Sequence, residues 1–305
     1  MAKNKELLFW LDGKMIKRSQ AKVPILTHSL QYGSGIFEGI RAYKTAKGPA
    51  IFRLDDHIKR FFRSAKVYNI DLKYSKGDIH EAIVKTIQTN KLDSCYIRPF
   101  AFYNDDNIGI SALGKKISVF IATIPFGAYF GHGREEGISC KISTWQRINS
   151  LILPPEAKAS GNYINSVLAN MEARMAGQDE AILTSLDGYV AEGPGENIFI
   201  VEDGNIVTPP RDADILLGIT RDSVIKIAES MGLTVTERNI HKEELYTCDE
   251  AFFAGTAAEI TPIRSIDFRK VGNGRIGPLT KTLKDKYSSV VNGQNSEFSH
   301  WLTYV

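Results

Sequence analysis

The residue whose chemistry most needs explaining is Lys158, in the run Pro154-Pro155-Glu156-Ala157-Lys158-Ala159-Ser160-Gly161-Asn162-Tyr163. It stands between two alanines, behind a diproline, and just ahead of a predicted helix. The apolar positions Ile164, Val167, Leu168, Met171 and Met175 recur there at helical spacing, with Ser160 as the expected N-cap. The N-terminal end of a helix carries partial positive charge, so an ammonium beside it is disfavoured and its pKa drops toward the free amine. A free amine is a nucleophile. Frequency alone makes any lysine a solvated surface residue. A lysine that forms a Schiff base with an aldehyde cofactor instead needs small neighbours, desolvation and a fixed backbone, and Ala157, Ala159 and Gly161 supply the first of these.

Other residues are of matching type. Arg60 lies off the centre of an apolar helical stripe, either as a solvated arginine or as a phosphate clamp, since guanidinium meets phosphate oxygens in bidentate geometry. Arg98 shares one strand face with Tyr96 and Phe100, either facing water or receiving a carboxylate among aromatics. Gly33, Gly35 and Gly39 allow close backbone approach beside Tyr32 and Phe37, which are large enough to be ordinary core aromatics. The carboxylates of Glu192-Gly193-Pro194-Gly195-Glu196-Asn197 are either turn formers or functional acids. Two turns, Leu216 to Ser223 and Gly255-Thr256-Ala257-Ala258-Glu259, combine glycine, a threonine hydroxyl and backbone N–H groups in the way a phosphate site does.

These residues need elements to carry them. Phe9 to Ile16 reads as a hairpin around Asp12-Gly13. Ile58, Phe61, Phe62 and Ala65 form one helical stripe behind Asp55-Asp56, and Ile79, Ala82, Ile83 and Ile87 another over about residues 75–90. Strands are expected at Cys95 to Phe100 and Ile117 to Ala122. Pro125 to Gly133 reads as a connection between domains, placing a small domain over 1–123, the connection over 124–137 and a larger domain over 138–305. From Glu180 the chain is strand-rich, with Asp187-Gly188 and Asp203-Gly204 turns that predict antiparallel strands. A helix with inner face Val224, Ile227, Ala228 and Met231 follows, and a polar helical tail ends the chain.

Composition narrows the partners. At 305 residues, 43% hydrophobic and with a net charge of +3, the sequence describes a soluble globular protein and predicts no polyanion partner. Cys95, Cys140 and Cys248 are odd in number and far apart, which argues for a reducing compartment, and the absence of a long apolar stretch near the start points to the cytoplasm. The six histidines form no ligand-spaced cluster, so no metal is expected. Gly272-Asn273-Gly274-Arg275-Ile276-Gly277 matches the dinucleotide fingerprint only formally, because Pro278 follows at once and what comes after reads as a polar helical tail.

The segments from Tyr32 to Arg41, Tyr96 to Pro99, Glu156 to Tyr163, Glu192 to Phe199, Gly218 to Arg221 and Gly255 to Pro262 together resemble the branched-chain amino acid aminotransferases, class IV, fold-type IV pyridoxal-phosphate enzymes, over nearly the whole chain. The resemblance implies a mixed α+β fold with a small α/β domain and a larger domain built on a strand-rich pseudo-barrel. It implies transfer of the amino group between leucine, isoleucine or valine and 2-oxoglutarate. Lys158 would hold pyridoxal 5'-phosphate and move the proton, Glu192 would face the ring nitrogen, and Tyr163 would meet the phenolic oxygen. Arg60, Ile219, Thr220 and Thr256 would hold the phosphate, with Gly195, Leu216, Gly218 and Gly255 also at the cofactor. Tyr32, Phe37, Gly39, Tyr96, Tyr129 and Tyr163 would line the substrate pocket, Arg98 would meet the glutamate side chain, and Thr256, Ala257 and Ala258 the α-carboxylate. Tyr32 and residues near Ile108 to Ile110 would act across a homodimer interface, with assemblies of dimers such as a trimer of dimers common in the family. D-amino-acid aminotransferase and aminodeoxychorismate lyase share the fold; the Tyr96-x-Arg98 strand, Tyr32 and the Gly255 turn follow the branched-chain pattern instead.

Overall fold

The computed structural model describes residues 6–127, 129–131 and 136–305. Of the expected 124–137 connection, Ala128 and 132–135 lie outside the described residues. The chain forms two compact units, and they are not two continuous stretches. Ala157–Gly161 and Val291–Val305 belong with the chain up to Phe126, whereas Gly127–Glu156 and Asn162–Val290 make up the other unit.

The first unit is built on one antiparallel sheet. Its strands are β1 (Leu8–Leu11), β2 (Lys14–Lys17), β3 (Gly35–Phe37), β4 (Ile40–Thr45), β5 (Gly48–Phe52), β6 (Cys95–Tyr103), β7 (Ile117–Ile124) and, from the far end of the chain, the strand Leu302–Tyr304. That last strand pairs with β5, so the chain ends in a strand and the expected helical tail stops at Val291. The β1–β2 hairpin closes on Asp12-Gly13 with φ of 46° and 88°, the left-handed pair that a two-residue hairpin demands. Helix α1 (His28–Tyr32) ends on a left-handed Gly33. Helices α2 (Leu54–Val67) and α3 (Lys76–Asn90) pack on the sheet through Leu54, Ile58, Phe61, Ile79, Ile83 and Ile87, all buried in one core with Ile36, Ile40 and Ile97. Full burial of one such side chain is worth about 1.5–3 kcal/mol. Ser75 and Asp78 close a capping box on α3. The inner face of α2 also buries His57, Arg60 and Ser64, a polar row beside the apolar stripe.

The second unit holds β8 (Ile138–Ile142), β9 (Glu180–Thr184), β10 (Val190–Glu192), β11 (Asn197–Glu202), β12 (Asn205–Thr208), β13 (Val235–Glu237), β14 (Glu250–Gly255) and β15 (Glu259–Ile266), with a short β16 (Arg269–Lys270) on β15. The order β10-β9-β8-β15-β14-β11 returns to β10, closing a barrel-like ring of six strands, and β12 and β13 extend it. The ring is mixed: β8 runs parallel to both β9 and β15, and the helix Tyr163–Met175 lies in the crossover that joins β8 to its parallel neighbour β9.

That helix corrects two expectations. Its buried residues are Ser166, Ala169 and Ala173, of which the two alanines pack with Ala181 and Leu183 of β9, while Ile164, Val167, Met171 and Met175 are exposed, Met175 by 86%. Small residues let the helix approach the sheet closely, and the bulky row is left outside. Ser160 is not its cap: a 3-10 turn over Ser160–Asn162 runs straight into it, and the Ser160 hydroxyl donates to the Gly35 carbonyl. The helix Ile219–Ser230 buries Val224, Ile227 and Ala228 as expected. Gly277 belongs to a different device from a dinucleotide loop. A Cβ there would fall 2.0 Å from the Glu250 carboxyl carbon, and that carboxylate accepts the Leu279 and Thr280 N–H groups at the start of the helix Pro278–Val291. Cys95, Cys140 and Cys248 are free and buried, and burial pushes the Cys95 and Cys248 thiols up to about 12.

Candidate active site

Lys158 is carried on a short pseudo-strand laid along β3. The Phe37 N–H donates to the Lys158 carbonyl at 3.0 Å, Gly161 N–H to the Gly33 carbonyl at 3.0 Å, and Ile36 bridges Ala159. The Ser64 hydroxyl of α2 accepts the Lys158 N–H at 3.0 Å. Ala157 and Ala159 are buried, so their size is a packing requirement. Gly33 combines φ +65° with a Cβ position 2.9 Å from the Gly161 Cα, so both glycines are needed for the two segments to meet. Main-chain groups on both sides of the lysine are thus tied to β3 and α2.

The amine sits 5.1 Å from the centre of the Phe37 ring. Although the residue keeps some exposed surface, the amine lies deep among protein atoms. Burial, then the Arg60 charge, lower its pKa to about 8; Glu38 and Tyr96 oppose the shift and Arg98 adds to it. Desolvation and a neighbouring cation are thus the leading causes of the lowered value.

Arg60 answers to a residue that the sequence analysis missed. Glu38, 0% exposed, receives Arg60 Nε at 2.7 Å and Nη2 at 2.8 Å in a bidentate pair, with His57 Nδ1 at 2.7 Å from the same carboxylate. Burial alone would push the Glu38 carboxyl up, but the Arg60 charge and the three hydrogen bonds outweigh it and hold the group well below the usual carboxylate range. Burial lowers the His57 pKa despite Glu38, leaving a neutral ring that donates through Nδ1. The signal was present in the sequence: His57 and Arg60 are three apart on one helix face, with an acid beside the glycine-rich strand.

On β6 the alternation holds, and Tyr96, Arg98 and Phe100 share the more open face. Arg98 lies 4.5 Å over the Phe37 ring and 5.3 Å over the Tyr96 ring, and its Nη2 donates to the Tyr96 hydroxyl at 3.1 Å. Its Nε is buried with no hydrogen-bond partner. Gly39 makes this arrangement possible, since a Cβ there would stand 2.0 Å from the Tyr96 hydroxyl. Tyr32 is exposed, packed on His28 at 4.7 Å between ring centres. Tyr129 is exposed, its ring centre 4.7 Å from that of Phe130.

In the second unit the acid is Glu192, buried at the end of β10. Asn197 Nδ2 donates to its Oε2 at 2.9 Å and also to the Leu216 carbonyl at 2.9 Å, while the Leu216 N–H donates to both carboxylate oxygens at 3.1 and 3.2 Å. Arg147 Nε lies 2.8 Å from Oε1. No local pattern in Trp145-Gln146-Arg147 marks that arginine. Gly218 opens the helix Ile219–Ser230 with no side-chain cap, and a Cβ on it would strike Asn197 Oδ1 at 2.0 Å. Thr220 is buried in the first turn. The turn from β14 to β15 carries Thr256 and Ala257 half-buried and Ala258 buried; Gly255 lets it press on Gly195, whose carbonyl would be 3.2 Å from an added Cβ. Tyr163, half-buried, is the first residue of its helix.

A depressed lysine, an anchored acid and helix-start donors are the parts of an amino-group transfer enzyme, and residues 35–266 match the family described as amino-transferase class IV. The chain belongs to that family. It is similar to the branched-chain-amino-acid aminotransferase of Pseudomonas aeruginosa, 45% identical over 299 residues that cover 98% of this chain and 97% of that one. Among solved structures it is similar to the branched-chain aminotransferase of Thermoproteus uzoniensis with norvaline, at 44% identity, TM-score 0.94 and coverage of 98% and 99% of the two chains. It is equally similar, at 43% identity, the same TM-score and the same coverage, to the branched-chain amino acid aminotransferase of T.th. complexed with N-(5'-phosphopyridoxyl)-L-glutamate.

Proposed function

We propose that the protein is a pyridoxal-phosphate-dependent aminotransferase that moves the amino group reversibly between leucine, isoleucine or valine and 2-oxoglutarate. The observation that carries this reading is Lys158, pinned by its backbone and lowered to about 8, beside an aromatic wall that holds Arg98 with an unsatisfied donor. The donor set fits the cofactor. Arg60, Thr220, Thr256 and the opening N–H groups of the helix at Gly218 suit a phosphate, and the Cβ that Gly218 lacks would strike Asn197. Glu192 suits a protonated ring nitrogen, Tyr163 the phenolic oxygen and Lys158 the aldehyde. Gly195, Leu216, Ile219 and Gly255 contribute backbone to the same group.

When bound, pyridoxal phosphate supplies a carbonyl that exchanges amino groups and a ring that draws electrons from the substrate α-carbon. Lys158 would hold the cofactor's aldehyde and supply the base that moves the proton at that carbon. With a pKa of about 8, about a quarter of the amine is neutral at pH 7.5, against about one in a thousand for an ordinary lysine. Arg60, oriented by Glu38, would hold the phosphate independently of the lysine. Phe37, Tyr96 and Tyr129 shed water from an aliphatic side chain, Arg98 binds the distal carboxylate of glutamate or 2-oxoglutarate, and Thr256, Ala257 and Ala258 hold the α-carboxylate. The named relatives carry the branched-chain activity, and neither of the other two chemistries of the fold finds support among them.

We further propose a homodimer as the smallest active unit, able to assemble further, and a cytoplasmic location. The support is an exposed apolar patch: Tyr32 on α1 and Ile108 and Ile110, exposed by 65% and 80%, are held on one surface by the Thr27–Asp106 bridge and by His28 Nε2 donating to the Ile110 carbonyl. No helix among the described residues is long and apolar enough to cross a membrane.

The test is direct. The purified protein should take up pyridoxal phosphate with a yellow band that borohydride bleaches, and should transaminate leucine with 2-oxoglutarate, while Lys158→Ala should do neither. Turnover retained by Lys158→Ala would refute the assignment.

A further inference from the structure

We propose that Arg147 is a positioning residue that holds Glu192 as a carboxylate and thereby keeps the proton on the cofactor's ring nitrogen. This rests on the function proposed above, with Glu192 facing that nitrogen.

A buried carboxylate needs a compensating charge, and neutral donors supply only part of it. Asn197 and the Leu216 N–H are neutral; Arg147 brings a cation within ion-pair distance of Glu192, its side chain 7% exposed. Its Nε–H does not point along the 2.8 Å line to Oε1, so the contact acts by charge and leaves the carboxylate lone pairs for other donors.

The arginine is also held in place. Its own N–H donates to the Thr184 carbonyl at 2.7 Å, and Thr184 is on β9, the strand that pairs with β10 where Glu192 sits. Asn165 clamps both neighbours, accepting the Ile148 N–H at 3.2 Å and donating to the Gln146 carbonyl at 2.8 Å. Three contacts to fixed elements therefore present one buried cation to one buried acid.

The consequence follows from Coulomb's law. Moving a proton from Glu192 to a group on its far side carries positive charge away from Arg147, so the arginine favours the ion pair of carboxylate and protonated ring over the neutral pair. Without it the proton falls back toward Glu192, and the ring loses part of its power to draw electrons from the α-carbon.

The full-length protein would be loaded with ring-15N pyridoxal phosphate, and the nitrogen resonance and the leucine half-reaction followed in wild type, R147Q, R147K, E192Q and the R147Q/E192Q double variant. R147Q should move the resonance toward neutral pyridine and slow the half-reaction about tenfold or more. R147K should restore most of both, and R147Q should add nothing in the E192Q background. A protonated-ring signal and rate unchanged in R147Q, or an equal R147Q effect with and without Glu192, would overturn the proposal. Should R147Q fail to hold cofactor, melting of the apo-proteins decides: a loss in the wild-type background that vanishes in E192Q supports the proposal, and equal losses refute it. A wild type that takes up no cofactor would instead refute the function.

Discussion

Replacing Arg98 by alanine separates substrate recognition from catalysis within one side chain. The guanidinium offers a buried Nε donor with no partner, a second nitrogen bound to Tyr96, and a face stacked over Phe37. A charge-assisted contact to a carboxylate is worth about 1.5–3 kcal/mol, so kcat/KM for 2-oxoglutarate and glutamate should fall about 10- to 150-fold. Arg98 has a second effect, because its charge helps to lower the Lys158 pKa; without it that value rises above about 8 and less amine is neutral at pH 7.5. This second loss is common to every substrate and is relieved at higher pH. Single-turnover half-reactions measured separately with leucine and with glutamate, across pH 7 to 9.5, resolve the two. The glutamate-to-leucine ratio should drop by the full binding factor at every pH, while the shared loss should fade toward the alkaline end. An unchanged ratio would mean that Arg98 braces Tyr96 and Phe37 and meets no substrate carboxylate.

Lys158→Met should raise the melting temperature of the apo-protein at pH 7. The folded lysine pKa is lowered, so the fold carries the cost of a buried ammonium below about pH 8, and that cost disappears as pH rises from about 8 to the unfolded value of 10.5; the gain should vanish over the same window in a melting series. Glu38→Gln breaks a fully buried pair and should cost about 3–5 kcal/mol in urea unfolding at pH 7. Because the folded Glu38 pKa is lowered, that contribution is present above the unfolded value of 4.5, and the wild-type advantage should shrink as pH falls below it. Gly39→Ala places a methyl group 2.0 Å from the Tyr96 hydroxyl and should destabilise by about 1–3 kcal/mol, with KM for leucine raised; wild-type values for both would refute the packing argument.

What the sequence disclosed and what it hid follow one physical division. Features fixed within a few residues were legible: the Asp12-Gly13 hairpin, the inner faces of α2 and α3, the common face of Tyr96, Arg98 and Phe100, and Gly218 at a helix start. Features fixed by distant partners were not. Ser160 has every local mark of a cap, yet its hydroxyl is claimed by Gly35. The row from Ile164 to Met175 has helical periodicity, yet β9 accepts only the alanine side of that helix. Glu38 and Arg147 earn their roles from Arg60 and Glu192, which are 22 and 45 residues away along the chain (60 less 38; 192 less 147). The strand at Leu302–Tyr304 owes its place to β5.

The six-strand ring closes where β10 meets β11, with Glu192 opposite Asn197 and the Gly193 N–H donating to the Glu196 carbonyl at 2.7 Å in the turn that joins the two strands. The buried acid and the amide that steadies it thus face each other at the point where the cylinder closes. Length changes in any staved segment would travel round the circumference to this point, so evolution or engineering can vary the connecting turns freely while the staves keep their residue count.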